Sequence, residues 1–134
     1  MALTSAALGG LDVRLLVPKR SDSIVVTYAA RSYFDELLAA GVRIYEYGPR
    51  MLHTKSLLVD DHLVILGSAN FDHRSFRLNF EVSLLFHDAR VAGELERTIE
   101  LDLAHSPRVR DDRPRPLLTV QLPEAVARLV SPLL

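Results

Sequence analysis

The chain has 134 residues, 49% of them hydrophobic and 25% charged, with a formal net charge of -1 and no cysteine. That composition suits one domain and excludes a disordered chain, and the near-neutral balance offers no bulk attraction to nucleic acid. The lack of cysteine excludes disulfides, thiolate metal sites and a cysteine nucleophile together. No run approaches the roughly 20 apolar residues of a membrane span, and MALTSAALGG lacks the basic segment and long apolar run of a signal peptide. The chain is therefore expected to be soluble or peripheral.

Residues 2–8 predict a helix stopped by Gly9 and Gly10. A helix of this kind ordinarily connects two strands, so the chain is expected to begin inside a crossover. DVRLLVP (12–18) predicts a strand ended by Pro18. SDSIVVTYAARSYFDELLAAG (21–41) predicts one helix, with Ser21 or Asp22 near its cap and Gly41 at its end. Strands are predicted at 42–48, 52–59, 63–67 and 80–88, with a hairpin turn at Asp60-Asp61-His62. Residues 68–79 are polar and irregular. The stripe Val91, Leu95, Ile99 and Leu103 predicts a helix over 89–106, with Glu94, Glu96 and Glu100 outside the stripe. PRVRDDRPRP (107–116) predicts a charged loop, solvated rather than bound to headgroups. A short helix over 123–134, with Pro123 in its first turn, is expected to pack on the domain rather than on a membrane. Strands alternating with helices predict a single α/β layered domain over 1–134, a mixed central sheet with helices on both faces.

The chemistry centres on HTKSLLVDD (53–61). His53 and Lys55 lie two apart, on one face of a strand. Asp60 has the opposite parity and suits a structural place at the strand end. After the turn come Gly67, Ser68 and Asn70: a glycine admits close backbone approach, and a hydroxyl, an amide and backbone N–H groups are donors for anionic oxygens. Lys55 adds a positive point charge. A neutral imidazole in such a setting can attack phosphorus and form a phosphohistidine. Glu81, the one carboxylate in an apolar strand, is a candidate to hold the other imidazole proton. A metal site is disfavoured, because Lys55 would repel a divalent cation. His73, Arg74 and Arg77 read equally as phosphate contacts or as surface residues.

The pattern His53-x-Lys55-x4-Asp60-x6-Gly67-Ser68-x-Asn70 resembles the HKD motif of the phospholipase D superfamily, with every signature position filled. The flanks DVRLLVP, RSYFDELLAAGVRIYEY, GSANFDHRSFRLNFEVSLLFHD and ARLVSPLL resemble the C-terminal half of bacterial cardiolipin synthases. The resemblance implies a phospholipase D-like fold and phosphatidyl transfer between phosphatidylglycerol molecules, with glycerol leaving and no metal or other cofactor. It implies that His53 is a catalytic histidine, that Lys55, Asn70 and nearby Ser68 bind the phosphoryl group with Gly67, that Glu81 orients the histidine, and that Asp60 completes the motif. Members with this ending carry two HKD motifs and N-terminal membrane segments, which implies a parent protein in the bacterial cytoplasmic membrane. Here His62, His73, His87 and His105 are followed two residues on by Val64, Ser75, Ala89 and Pro107, so one motif is present. In-line displacement needs a second, protonated imidazole. The expected partner is an N-terminal HKD half or a second copy of the chain, with an anionic phospholipid as substrate and no nucleic acid. Three alternatives stand beside this reading: a phospholipase, a single-motif dimeric nuclease or phosphodiesterase, and an inactive isolated half-domain.

Overall fold

The computed structural model describes residues 2–21, 23–70, 75 and 79–130. In chain order they form α1 (Ala2–Leu8), β1 (Arg14–Pro18), α2 (Ile24–Arg31), α3 (Phe34–Ala39), β2 (Arg43–Tyr47), β3 (Ser56–Val59), β4 (Leu63–Gly67), β5 (Ser83–His87), α4 (Ala89–Ala104), a π-helical turn (Leu117–Gln121) and α5 (Leu122–Val130).

Helix α1 stops where expected. The amides of Gly9 and Gly10 bond back to Ser5 and Ala7, and Gly10 takes a φ of 89°, a left-handed turn that glycine adopts without steric cost. Strands β1 and β2 then pair in parallel, Arg14 opposite Arg43 and Pro18 opposite Tyr47. The two facing arginines share a register position, a like-charge pair that would be unfavourable alone. Asp12 accepts from both, and Glu100 on α4 takes Arg14 at 2.6 Å. Those two guanidinium groups, Arg43 first, hold the Asp12 carboxyl below its usual range.

The helix predicted over 21–41 is two helices. Ser23, rather than Ser21, caps the first by accepting from the Val26 amide; Asp22 lies outside the described residues. The break falls at Ser32, whose hydroxyl donates to the Ala29 carbonyl at 2.6 Å and competes with the helical ladder. The turn directs Phe34 inward, where it forms a buried cluster with Val42, Ile44 and Val109, flanked by Leu15, Val17 and Leu37.

Strands β3, β4 and β5 form an antiparallel meander, Leu57 opposite Ile65 and Ile65 opposite Leu85. Asp60 turns the hairpin at a φ of 53°. The α/β class is as expected, but one continuous mixed sheet is not: the parallel pair and the meander are hydrogen-bonded separately. The reason lies in the stretch expected to be a plain loop. Residues 107–109 run antiparallel along the outer edge of β2, with Pro107 accepting from Glu46 N and Val109 N donating to Ile44 O. With β1 on its other side, β2 has no free edge for β3 to join.

Helix α4, capped by the Asp88 carboxylate accepting from Arg90 N and Val91 N, packs on β2, β3 and β4 and bridges the two sheets. Leu103 and Ala92 are buried on its inner side, as its apolar stripe requires. Among the described residues, helices do not cover both faces of the meander. Val64 is fully buried on the α4 side, whereas Leu57, Val59 and Leu85 on the opposite face are exposed.

The C-terminal helix packs on α2 through Ala127 and Glu124. Arg115 bonds Glu124 at 2.6 Å and also Asp35, which Arg113 reaches at 2.6 Å. Two arginines of the charged loop thus latch the C-terminal segment onto α3 instead of reaching into solvent. Leu122, Val126 and Leu129 point outward.

Candidate active site

Strand β3 begins at Ser56 rather than at residue 52, so His53 and Lys55 sit on its extended lead-in, with the Lys55 carbonyl already bonded to β4. They come together nonetheless. The Lys55 ammonium lies 2.9 Å from His53 Nδ1 and 3.1 Å from Nε2, and donates to the His53 carbonyl at 2.9 Å. The ammonium can donate only to the ring nitrogen that carries no proton, whichever tautomer is present. His53 is exposed, its ring open to a ligand.

The second wall comes from the end of β4. Gly67 N bonds to Lys55 O, and Ser68 N to Val82 O, so the loop after β4 is held between the two neighbouring chains. The close approach explains the glycine: a Cβ on residue 67 would stand 2.6 Å from both Ser83 Oγ and the Val82 carbonyl. Ser68 is a hub. Its hydroxyl donates to Glu81 Oε2 at 2.5 Å and accepts from Val82 N at 3.0 Å. Asn79 Nδ2 donates to Glu81 Oε1 at 3.1 Å.

The Glu81 carboxyl is held below its usual range, by the Ser68 hydroxyl first and Asn79 next, with Ser75 and the Lys55 charge contributing and burial opposing. Glu81 and Lys55 therefore face each other electrostatically. No hydrogen bond joins Glu81 to His53 among the described residues; the carboxylate orients Ser68. Ser75, buried, accepts from the Asn70 amide at 3.0 Å and fixes the backbone there.

His53, Lys55, Gly67, Ser68, Asn70 and Glu81 thus gather at one end of the meander. Asp60 sits at the other end, in the hairpin turn, where the strand parity argument put it. His73, Arg74 and Arg77 lie outside the described residues. Sequence reasoning missed Ser75 and Asn79. Both sit in a polar stretch with no periodicity, and only a count of donors near Glu81 would have singled them out. Among the described residues no group of three or more histidine, aspartate or glutamate side chains is placed to hold a metal ion.

Comparison with known proteins identifies the family. The profile of the family described as cardiolipin synthase, PLD-like domain, matches residues 1–103. The chain belongs to this family. It is 48% identical over 135 aligned positions to a cardiolipin synthase of Geobacillus kaustophilus, covering 99% of this chain and 27% of that protein. Cardiolipin synthase A of Pseudomonas aeruginosa is 47% identical with the same coverage. The chain therefore spans about a quarter of the length of these cardiolipin synthases. The crystal structure of a phospholipase D family member, Nuc from Salmonella typhimurium, superposes with a TM-score of 0.71 at 22% identity, over 81% of this chain and 71% of that one. That likeness establishes the phospholipase D fold. In this cardiolipin synthase-like domain no helix among the described residues is long and apolar enough to cross a membrane.

Proposed function

We propose that the chain supplies one half of the active site of a cardiolipin synthase-type phosphatidyltransferase, with His53 as its catalytic imidazole. The observation that carries this reading is the ammonium of Lys55 held against the His53 ring at 2.9 Å, beside the Ser68 and Glu81 pair.

In the proposed reaction one imidazole nitrogen attacks the phosphorus of phosphatidylglycerol. The phosphorus–oxygen bond to the glycerol headgroup breaks, and the departing oxygen takes a proton from a second histidine outside this chain. The hydroxyl of another phosphatidylglycerol then gives its proton to whichever imidazole is unprotonated and displaces the phosphohistidine nitrogen. Lys55, Ser68 and Asn70 stabilise the equatorial oxygens, and Gly67 leaves them room. Glu81 acts through Ser68 and through its field on Lys55, an indirect route to the histidine. Asp60 holds the hairpin.

The second histidine would come from an N-terminal HKD half or from a second copy of this chain. The exposed apolar face of the meander, continuous with the site through Leu57 and Leu85, is the surface such a half would cover. The substrate reaches the site from the bacterial cytoplasmic membrane, where the longer protein resides.

The test mixes the chain with a separately produced N-terminal half and assays transfer from labelled phosphatidylglycerol. Cardiolipin and an acid-labile phosphohistidine are expected only in the mixture, and His53→Ala should lower turnover by about a thousandfold or more. Full turnover in the His53→Ala mixture would sink the assignment, and cardiolipin made by the chain alone at monomeric concentration would remove its half-site basis.

A further inference from the structure

A second cationic feature lies outside the HKD cluster. The carboxyl ends of the parallel strands β1 and β2 are held level by Lys19 N donating to Tyr47 O at 2.8 Å. Beyond them opens a groove of about 530 Å³, lined by Lys19, Arg20, Tyr47, Arg50, Met51 and His105 among others, with no carboxylate on its walls among the described residues. Crevices outside the carboxyl ends of parallel strands are the usual ligand sites of α/β folds.

The cations are uncommitted. Lys19, Arg20 and Arg50 are exposed and enter no ion pair among the described residues. Glu46, the acid of β2, is already taken by Arg31 at 2.8 Å. His105, at the C-terminus of α4, donates its Nδ1 proton to the Leu101 carbonyl at 2.7 Å, which leaves Nε2 for another partner. In a chain whose net charge is -1, three long cations and an imidazole on one wall, with no carboxylate among its described residues, concentrate positive potential locally. Met51, 57% exposed, adds an apolar surface at the end of the groove nearest the catalytic histidine in sequence. From Met51 to His53 is two residues, about 7 Å of extended chain, comparable with a glycerol unit.

We propose that this groove is a second phosphate site, which grips the phosphodiester of a lipid headgroup while the headgroup hydroxyl reaches toward His53. The inference rests on the transferase reading and assigns the groove to the acceptor lipid. No bond is made or broken there; the groove binds and orients.

The experiment titrates the isotopically labelled 134-residue chain with short-chain dioctanoyl phosphatidylglycerol below its micelle concentration, and separately with inorganic phosphate, following amide and imidazole resonances. The lipid should shift Arg20, Gly48, Arg50 and the His105 ring, with a dissociation constant raised about tenfold in Arg20→Gln/Arg50→Gln. Shifts at Lys55 and Gly67 should keep their affinity in that variant, which also shows that it folds. Lipid shifts confined to residues 53–70, an unchanged groove affinity in the double variant, or a groove that answers inorganic phosphate but not the lipid would each overturn the proposal. A groove that responds while Lys55 and Gly67 ignore the lipid would uphold the second site and count against the transferase reading.

Discussion

Glu81 concentrates the titration chemistry of the candidate site. Its carboxylate is stabilised by the Ser68 hydroxyl and then by Asn79, so its folded-state pKa is lowered. A carboxyl lowered on folding adds stability at pH above its unfolded value, about 4.3, and that contribution is lost as pH falls through the folded value. The link between the β4 loop and β5 should therefore be intact at neutral pH and loosen only well into the acid range. The expected outcome is that the Val82 amide, which donates to Ser68 Oγ, gains solvent exchange once the pH falls below the ordinary carboxylate range. In Glu81→Gln that pH dependence should vanish, as read by amide exchange. Ser68→Ala should raise the Glu81 pKa toward its ordinary value, measurable by side-chain carbonyl NMR. No pattern in the sequence announced this pairing, because Ser68 and Glu81 are thirteen residues apart, separated by a polar stretch whose sequence shows no periodicity. The alignment of His53 with Lys55 was legible, since a two-residue spacing on extended chain puts side chains together whether or not the ladder has begun.

The elements themselves were readable where period and punctuation agreed. Helix α4 shows a four-residue apolar stripe with Asp88 before it, and its burial matches. The break between α2 and α3 was not readable, because Ser32 ends the first helix by a bond to its own preceding turn, a choice decided by the burial of Phe34. Two element-level outcomes are expected. Gly67→Ala would press a methyl to 2.6 Å from the Val82 carbonyl. Backbone cannot yield there cheaply, so a loss of about 2 kcal/mol is expected in urea denaturation. Arg115→Ala would strand Glu124, whose side chain is 4% exposed, without its ionic partner. A buried carboxylate left unpaired costs about 3 kcal/mol, discounted here to roughly 2 because Arg115 itself is 25% exposed. Thermal unfolding of that variant should show the loss, with Glu124→Gln less affected.

Among the described residues, one face of the meander is uncovered. Helix α4 covers one face of the meander, and the other carries Leu85 at 64% exposure on β5 and Leu57 and Val59 on β3, on the face that also bears Lys55. Under the half-site proposal, another HKD half would cover this apolar surface and complete the site. Leu85→Lys should leave the stability of the isolated chain within about 0.5 kcal/mol, as for other surface changes. It should weaken association with the N-terminal half by tenfold or more in sedimentation equilibrium. Unchanged association would place the contact elsewhere.

Composition, strand and helix periodicity were enough to determine an α/β domain, and the two-residue spacing of His53 and Lys55 was enough to bring them together, because each rests on local geometry that residue spacing dictates. The tertiary structure alone decided three things. The edge of β2 is closed by residues 107–109, which splits the strands into two sheets. Glu81 is tied to Ser68 rather than to the histidine. The basic residues around β1, β2 and the end of α4 share one groove. Each depends on contacts between segments far apart in the chain, where the fold, and not the local spacing, sets which side chains meet.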